Sequence, residues 1–253
     1  MKRSRHRSLN RLACPAWGNR SWHWLGAVFV IMGAVTRLHG DEVLHRESSG
    51  APEVRSAALA PRFVDLGDIA PGIVYDIRYA TTDNFLGERV YDRCRCLVRE
   101  DVAGRLARVQ RFLEAQGLGL KIWDCYRPHA VTRLMWDRVR DRRYVAHPRE
   151  GSRHNRGVAV DLTLVNREGI ALDMGTDHDD FSDRAHVGAS DLGEAVHRNR
   201  RILVDAMGRE GFRVLLTEWW HFDYENWREY PIEDVSLSSV IRKDGTTGPL
   251  DCP

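Results

Sequence analysis

The chain has 253 residues, enough for one domain and a tail. Its 38 lysines and arginines nearly balance 36 aspartates and glutamates, a net charge of +2, which excludes a strongly basic nucleic-acid binder or a protein held on a membrane surface by charge. With 43% hydrophobic residues, the chain is composed like an ordinary globular protein.

Residues 1–24 are basic and contain no acid, and an uncharged apolar run of eleven, Leu25–Val35, follows. That run is too short to span a bilayer and suits the core of an export signal. Residues 1–40 are therefore expected to be a signal peptide or N-terminal anchor. The mature protein would be exported, periplasmic or secreted, with no stable membrane span after processing. Residues 41–60 lack periodicity and read as a linker. The folded unit is expected over 61–231, with a loosely structured tail at 232–253. Of the five cysteines, Cys14 falls in the signal. Cys94, Cys96, Cys125 and Cys252 are an even number that permits two bridges or leaves four thiols. No C-x-x-C pair occurs, which argues against a structural zinc knot.

Within the folded unit, "GIVYDIRYA" (72–80) reads as a strand. "REDVAGRLARVQRFLEAQG" (99–117) reads as a helix. Val102, Leu106, Val109 and Leu113 recur at helical spacing, and Gly117 stands where a C-terminal cap belongs. "LGLKIWDCY" is a strand ending at Asp124, and Pro128 suits the first turn of a helix through about Val139. "GVAVDLTL" (157–164) is a strand. Asp191 with Glu194 resembles a capping box opening a helix that carries Leu192, Val196, Leu203 and Met207. "FRVLLTEWWHFDY" (212–224) reads as the last strand. No glycine-rich phosphate loop interrupts the series. The pattern predicts an α+β single domain, a mainly antiparallel sheet flanked by helices.

Three segments carry candidate chemistry. In "SRHNRGVAVDLTL", Gly157, Ala159, Asp161 and Thr163 share a face of small residues around one carboxylate, with His154 just before it. In "EWWHFDY", Glu218 and His221 are three apart, so a regular strand would place them on opposite faces. In "DCYRP", Arg127 lies between a strand end and a helix start, where side chains commonly face a cleft. Taken singly, each has an ordinary reading: a hydrogen-bonded His/Asp pair, an aromatic core strand, a surface ion pair. Taken together they form a set. His154, Asp161 and His221 supply the three ligands of an open zinc site, Glu218 a general base, and Arg127 a cation for an oxyanion. The two residues on the last strand can serve one site only if that strand breaks its alternation.

The same segments resemble the zinc D-alanyl-D-alanine peptidases. "SRHNRGVAVDLTL" is similar to their S-x-H-x-x-G-x-A-x-D motif. "EWWH", "DCYRP", "YDIRYATTDNFLG" and "MGTDHDDF" are similar to the dipeptidase branch, which includes the vancomycin-resistance dipeptidases. The likeness spans about Pro61 to Tyr230. It implies the D-Ala-D-Ala metallopeptidase (Hedgehog-like) fold, one zinc per chain on His154, Asp161 and His221, Glu218 as base and Arg127 as transition-state stabiliser. It further implies Asp179 near the substrate ammonium, Ser152 in contact with substrate, and Asp124 as support. His178 stands where the family usually has an aromatic, and Cys125 where some relatives have glycine. A Cys96–Cys125 bridge is expected to tie the first helix to the arginine loop, leaving Cys94 and Cys252 as a second pair.

The reading that follows is hydrolysis of the dipeptide D-alanyl-D-alanine, in wall turnover or dipeptide recovery. Its alternatives are a D,D-carboxypeptidase acting on stem peptides and a non-catalytic zinc-bearing wall-binding protein. Intact Glu218 and Arg127 argue against the last. The expected partner is a small dipeptide, and no nucleic acid.

Overall fold

The computed structural model describes residues 62–241 and 245. The chain divides into two units, Met1–Arg55 and Ser56–Pro253. The first, with the expected signal and most of the linker, lies outside the described residues. No helix among the described residues is long and apolar enough to cross a membrane.

The second unit is α+β, as expected. Its main sheet has five strands in the order β2 (Val74–Tyr75), β4 (Leu118–Asp124), β5 (Ala159–Asn166), β7 (Glu218–Tyr224), β6 (Phe212–Leu215). Only the β2–β4 pair is parallel; the others are antiparallel. Two further strands, β1 (Phe63–Asp65) and β3 (Leu97–Arg99), form a small antiparallel ladder.

Helices α1 (Glu100–Glu114) and α3 (Glu194–Gly208) pack against the main sheet. Their expected apolar stripes, Val102, Leu106, Val109 and Leu113 in α1 and Val196, Leu203 and Met207 in α3, are all buried. Removing such stripes from water drives their docking, at about 1.5–3 kcal/mol for each large side chain. Gly117 adopts φ +76° after α1, the left-handed turn its position called for. The third helix, α2 (His129–Arg138), starts one residue after Pro128, which occupies the cap rather than the first turn.

Four expectations are corrected. Residues 72–80 contribute only two strand residues before turning into a 3-10 segment at Arg78–Ala80. Residues 212–224 form a hairpin of two strands rather than one. The capping box at Asp191 is not made: Gly193 caps α3, and Asp191 instead accepts from Arg184 Nη1 at 2.5 Å. Gly157 is not part of β5. It closes the turn after His154–Arg156 at φ +72°, and a Cβ there would come within 2.3 Å of the Phe63 ring. Its smallness serves that turn and that contact, not clearance beside Asp161.

The segment after Tyr230 has no helix or strand up to Ile241, yet it is packed. Leu237 is buried. The Glu233 amide donates to Asn155 O, Glu233 accepts from Arg99, and Asp234 accepts from Arg133. The packed body therefore runs past residue 231.

Cys96 and Cys125 are bonded, with S–S 1.96 Å. Cys94 is disulfide-bonded too, and the expected Cys94–Cys252 pair falls outside the described residues. The Cys96–Cys125 bridge closes 29 residues of chain, so replacing both by serine should cost about 2–5 kcal/mol. A lowered urea midpoint checks this.

Candidate active site

The register of the sheet builds the site. Asp124 pairs with Asp161 across β4–β5, and Asp161 with His221 across β5–β7. Three neighbouring strands thus set Asp124, Asp161 and His221 side by side on one face. His154 reaches them from the 3-10 turn ahead of β5.

Glu218 joins by the irregularity the sequence demanded. Val214 pairs with Phe222, but the next residue, Leu215, pairs with Glu218. Trp219, Trp220 and His221 are left out of that ladder. An odd number of skipped residues reverses the alternation, so Glu218 comes to the same side as His221, with Oε2 3.9 Å from His221 Nδ1.

His154 Nε2, His221 Nδ1 and Asp161 Oδ1 converge. The two nitrogens are 3.1 Å apart, and the oxygen is 2.9 Å from His221 and 3.4 Å from His154. All three residues are buried, and they form the group able to hold a metal ion among the described residues. The outer ring nitrogens are occupied. His154 Nδ1 donates to Cys125 O at 2.8 Å, and His221 Nε2 to Asp223 Oδ1 at 2.9 Å. Protons on the outer nitrogens leave the inner lone pairs turned on one another and on a carboxylate, an arrangement a cation completes.

Burial works against a charge on His221, but Asp223 and Asp161 outweigh it and raise its pKa well above the ordinary value. Burial likewise opposes the charge on Asp161, and His154, His178 and His221 reverse the effect, holding its pKa well below the usual range.

Arg127 is buried and clamped. Asp124 Oδ2 accepts from its Nη2 at 2.6 Å and its Nε at 3.2 Å, and the guanidinium lies 4.9 Å from the Tyr79 ring centroid. The other oxygen of Asp124 accepts from Tyr91 at 2.6 Å. Burial disfavours the Arg127 charge, but Asp124 overrides it and the guanidinium stays protonated.

Asp179 has φ +59°, the one non-glycine positive φ among the described residues. Strain of this kind is retained where surrounding contacts enforce it. Here both Asp179 oxygens accept from Tyr79 OH, at 3.2 and 3.1 Å. Burial pushes the pKa of Asp179 up and that of Tyr79 well up, so the phenol remains a donor. His178 stacks on Trp123 with ring centroids 5.0 Å apart, as an aromatic there would, and its Nε2 lies 3.3 Å from Asp161 Oδ2.

Ser152 is placed less centrally: its hydroxyl accepts from the His154 backbone N–H at 3.2 Å and fixes the turn. Sequence reasoning missed Tyr79, Tyr91, His178 as a partner of Asp161, and Asp223. Only Asp223 had a local signal, two residues beyond His221 and so on the same strand face.

The charge count also points to a cation. Asp124 is neutralised by Arg127, and Asp223 by Arg153 at 2.6 Å. Among the described residues, Asp161, Asp179 and Glu218 have ion-pair partners only in histidines. Asp161 is buried and Asp179 and Glu218 are half-buried, and carboxylates gathered so closely are sustained by pairing or by a bound cation.

A family model for D-ala-D-ala dipeptidases matches residues 60–235. The D-alanyl-D-alanine dipeptidase of Escherichia coli (strain K12) is 37% identical over 178 residues, covering 70% of this chain and 92% of that protein. The D-alanyl-D-alanine dipeptidase of Enterococcus faecalis (strain ATCC 700802 / V583) is 33% identical over 181 residues, covering 63% and 90%. Among solved structures, the vancomycin resistance D,D-dipeptidase VanXYg in complex with a D-Ala-D-Ala phosphinate analogue is 25% identical. It covers 51% of each chain, with a TM-score of 0.33. A mutant of the vancomycin resistance D,D-pentapeptidase VanY in complex with Zn(II) is 19% identical, covers 53% of this chain and 75% of that one, and has a TM-score of 0.34. With the family model matched over residues 60–235 and a 37% identical relative covered over 92% of its length, the chain belongs to the D-alanyl-D-alanine dipeptidase family.

Proposed function

We propose that this protein hydrolyses D-alanyl-D-alanine to two D-alanines, using one zinc ion held by His154, Asp161 and His221. The observation that carries the reading is the convergence of those three buried donors with the Glu218 carboxylate beside them, in a metallopeptidase chain of this family.

Zinc, when bound there, supplies Lewis acidity toward an attacking water and the scissile carbonyl. Glu218 takes the proton of that water and returns it to the leaving amine. Burial raises its pKa above the ordinary 4.5, which makes the carboxylate a stronger base toward that water. Arg127, oriented by Asp124, offsets the negative charge that grows on the carbonyl oxygen. Asp179, positioned by Tyr79, receives the substrate ammonium, and Ser152 shapes the turn bearing His154 and touches substrate.

Two measurable consequences follow from these roles. Asp179→Asn should raise KM by one to two orders of magnitude, the 1.5–3 kcal/mol of a charged hydrogen bond, with a smaller change in kcat. Zinc competes with a proton for the His221 ring. Affinity should therefore weaken as pH falls through the raised pKa of His221, with proton release on binding.

The reading includes export, supported by the Cys96–Cys125 disulfide and by the basic-then-apolar segment before residue 36. An exported dipeptidase suits wall turnover or dipeptide recovery. The discriminating assay compares D-Ala-D-Ala with a pentapeptide ending in D-Ala-D-Ala. Turnover of the dipeptide is expected, and turnover of the pentapeptide alone would make the protein a carboxypeptidase.

A further inference from the structure

The partner of His221 is itself held from behind. Asp223 lies two residues on in β7, is 7% exposed, and divides its oxygens. Oδ1 accepts from His221 Nε2 at 2.9 Å, and Oδ2 from Arg153 Nη1 at 2.6 Å. Across the β6–β7 ladder Asp223 faces Arg213, yet Arg213 donates to Glu225 instead, at 3.1 Å. Arg153 in turn lies over the Trp227 ring, 4.9 Å from its centroid. Arg153 also precedes His154 in sequence, so a single turn supplies one metal-site residue and the brace of another. A cavity of about 380 Å³, lined by Arg153, Asp223, Trp227 and Leu215 among others, opens on this brace.

We propose that Asp223, braced by Arg153, is the positioning residue that turns the His221 Nδ1 lone pair onto the metal. The inference rests on the metal-centre reading above. An imidazole has two neutral tautomers, and the one protonated on Nδ1 cannot bind a metal through that atom. A carboxylate on Nε2 selects the other tautomer, fixes the ring, and makes Nδ1 more basic. Arg153 holds the Asp223 carboxylate from the cavity side, with its guanidinium over the Trp227 ring. A plain structural salt bridge between Arg153 and Asp223 would need none of the contact with His221.

The test is zinc affinity, measured by competition with a chelator and kept separate from turnover. Asp223→Leu, similar in size and unable to accept, should weaken zinc binding 10- to 100-fold. Asp223→Asn, which keeps one acceptor oxygen, should lose less. Arg153→Ala should weaken binding several-fold, and millimolar guanidinium entering the cavity should restore it where uncharged urea does not. Thermal midpoints of the metal-free variants separate this effect from a folding defect, and the asparagine and alanine variants carry the test if the leucine variant does not fold. Variants that bind zinc as tightly as the parent would overturn the inference, as would equal rescue by urea. A parent protein that binds no zinc would instead overturn the metal-centre reading.

Discussion

Glu218→Gln should leave zinc binding within a few-fold of the parent and lower kcat by about 10²–10⁴-fold, the usual share of a positioned acid–base group. The glutamine fills the same space but cannot take a proton. The loss should fall on kcat more than on KM, because Glu218 acts on the attacking water and not on the ends of the substrate. The metal-free variant offers an independent check. Burial raises the pKa of Glu218, so its ionised form is disfavoured in the folded state. An acid with a raised folded pKa contributes stability at low pH that is lost as pH rises through that pKa. Removing the charge should therefore raise the neutral-pH thermal midpoint of the metal-free protein, and the gain should vanish in acid. A Glu218→Gln protein that lost its zinc would show that the carboxylate is a ligand and not a base.

His221→Ala should abolish both zinc retention and turnover. It removes one of three donors, and Asp161 and His154 alone make a poor site for a tetrahedral ion. It should also destabilise the metal-free protein, by about 3–5 kcal/mol if protonated His221 is the buried partner of Asp161 and Asp223. The pKa of His221 is raised. Its contribution is thus fully present below the unfolded value near 6.5 and lost as pH rises through the folded one. The stability gap between parent and variant should accordingly be widest in mild acid and narrow toward alkaline pH. Equal chemical-denaturation midpoints at pH 5 would contradict this charge assignment.

Much of the site was legible because its residues are unusual for their surroundings. His154 and Asp161 stand out around an apolar strand, and Glu218 and His221 interrupt an aromatic one. The three-residue spacing of the latter pair even predicted a break in strand alternation, and the skipped residues Trp219–His221 supply it. The hairpin at 212–224 was not legible. Its turn, Leu216–Thr217, has no glycine, proline, asparagine or aspartate to mark it, and Val214 and Leu215 run straight into it. Strands β1 and β3 are three residues each, too short for a period-two pattern to emerge. The supports were hidden for another reason. Tyr79 meets Asp179, and Tyr91 meets Asp124, across 100 and 33 residues of chain. Only the tertiary fold creates those contacts.

The account stands most directly on D-alanine release from D-Ala-D-Ala by one preparation in three states: as purified, stripped by chelator, and reloaded with one equivalent of zinc. The expected result is turnover, loss of turnover, and recovery at that single equivalent. Undiminished release from fully stripped protein would contradict the metal-centre account, and no release from zinc-loaded, folded protein would contradict the dipeptidase.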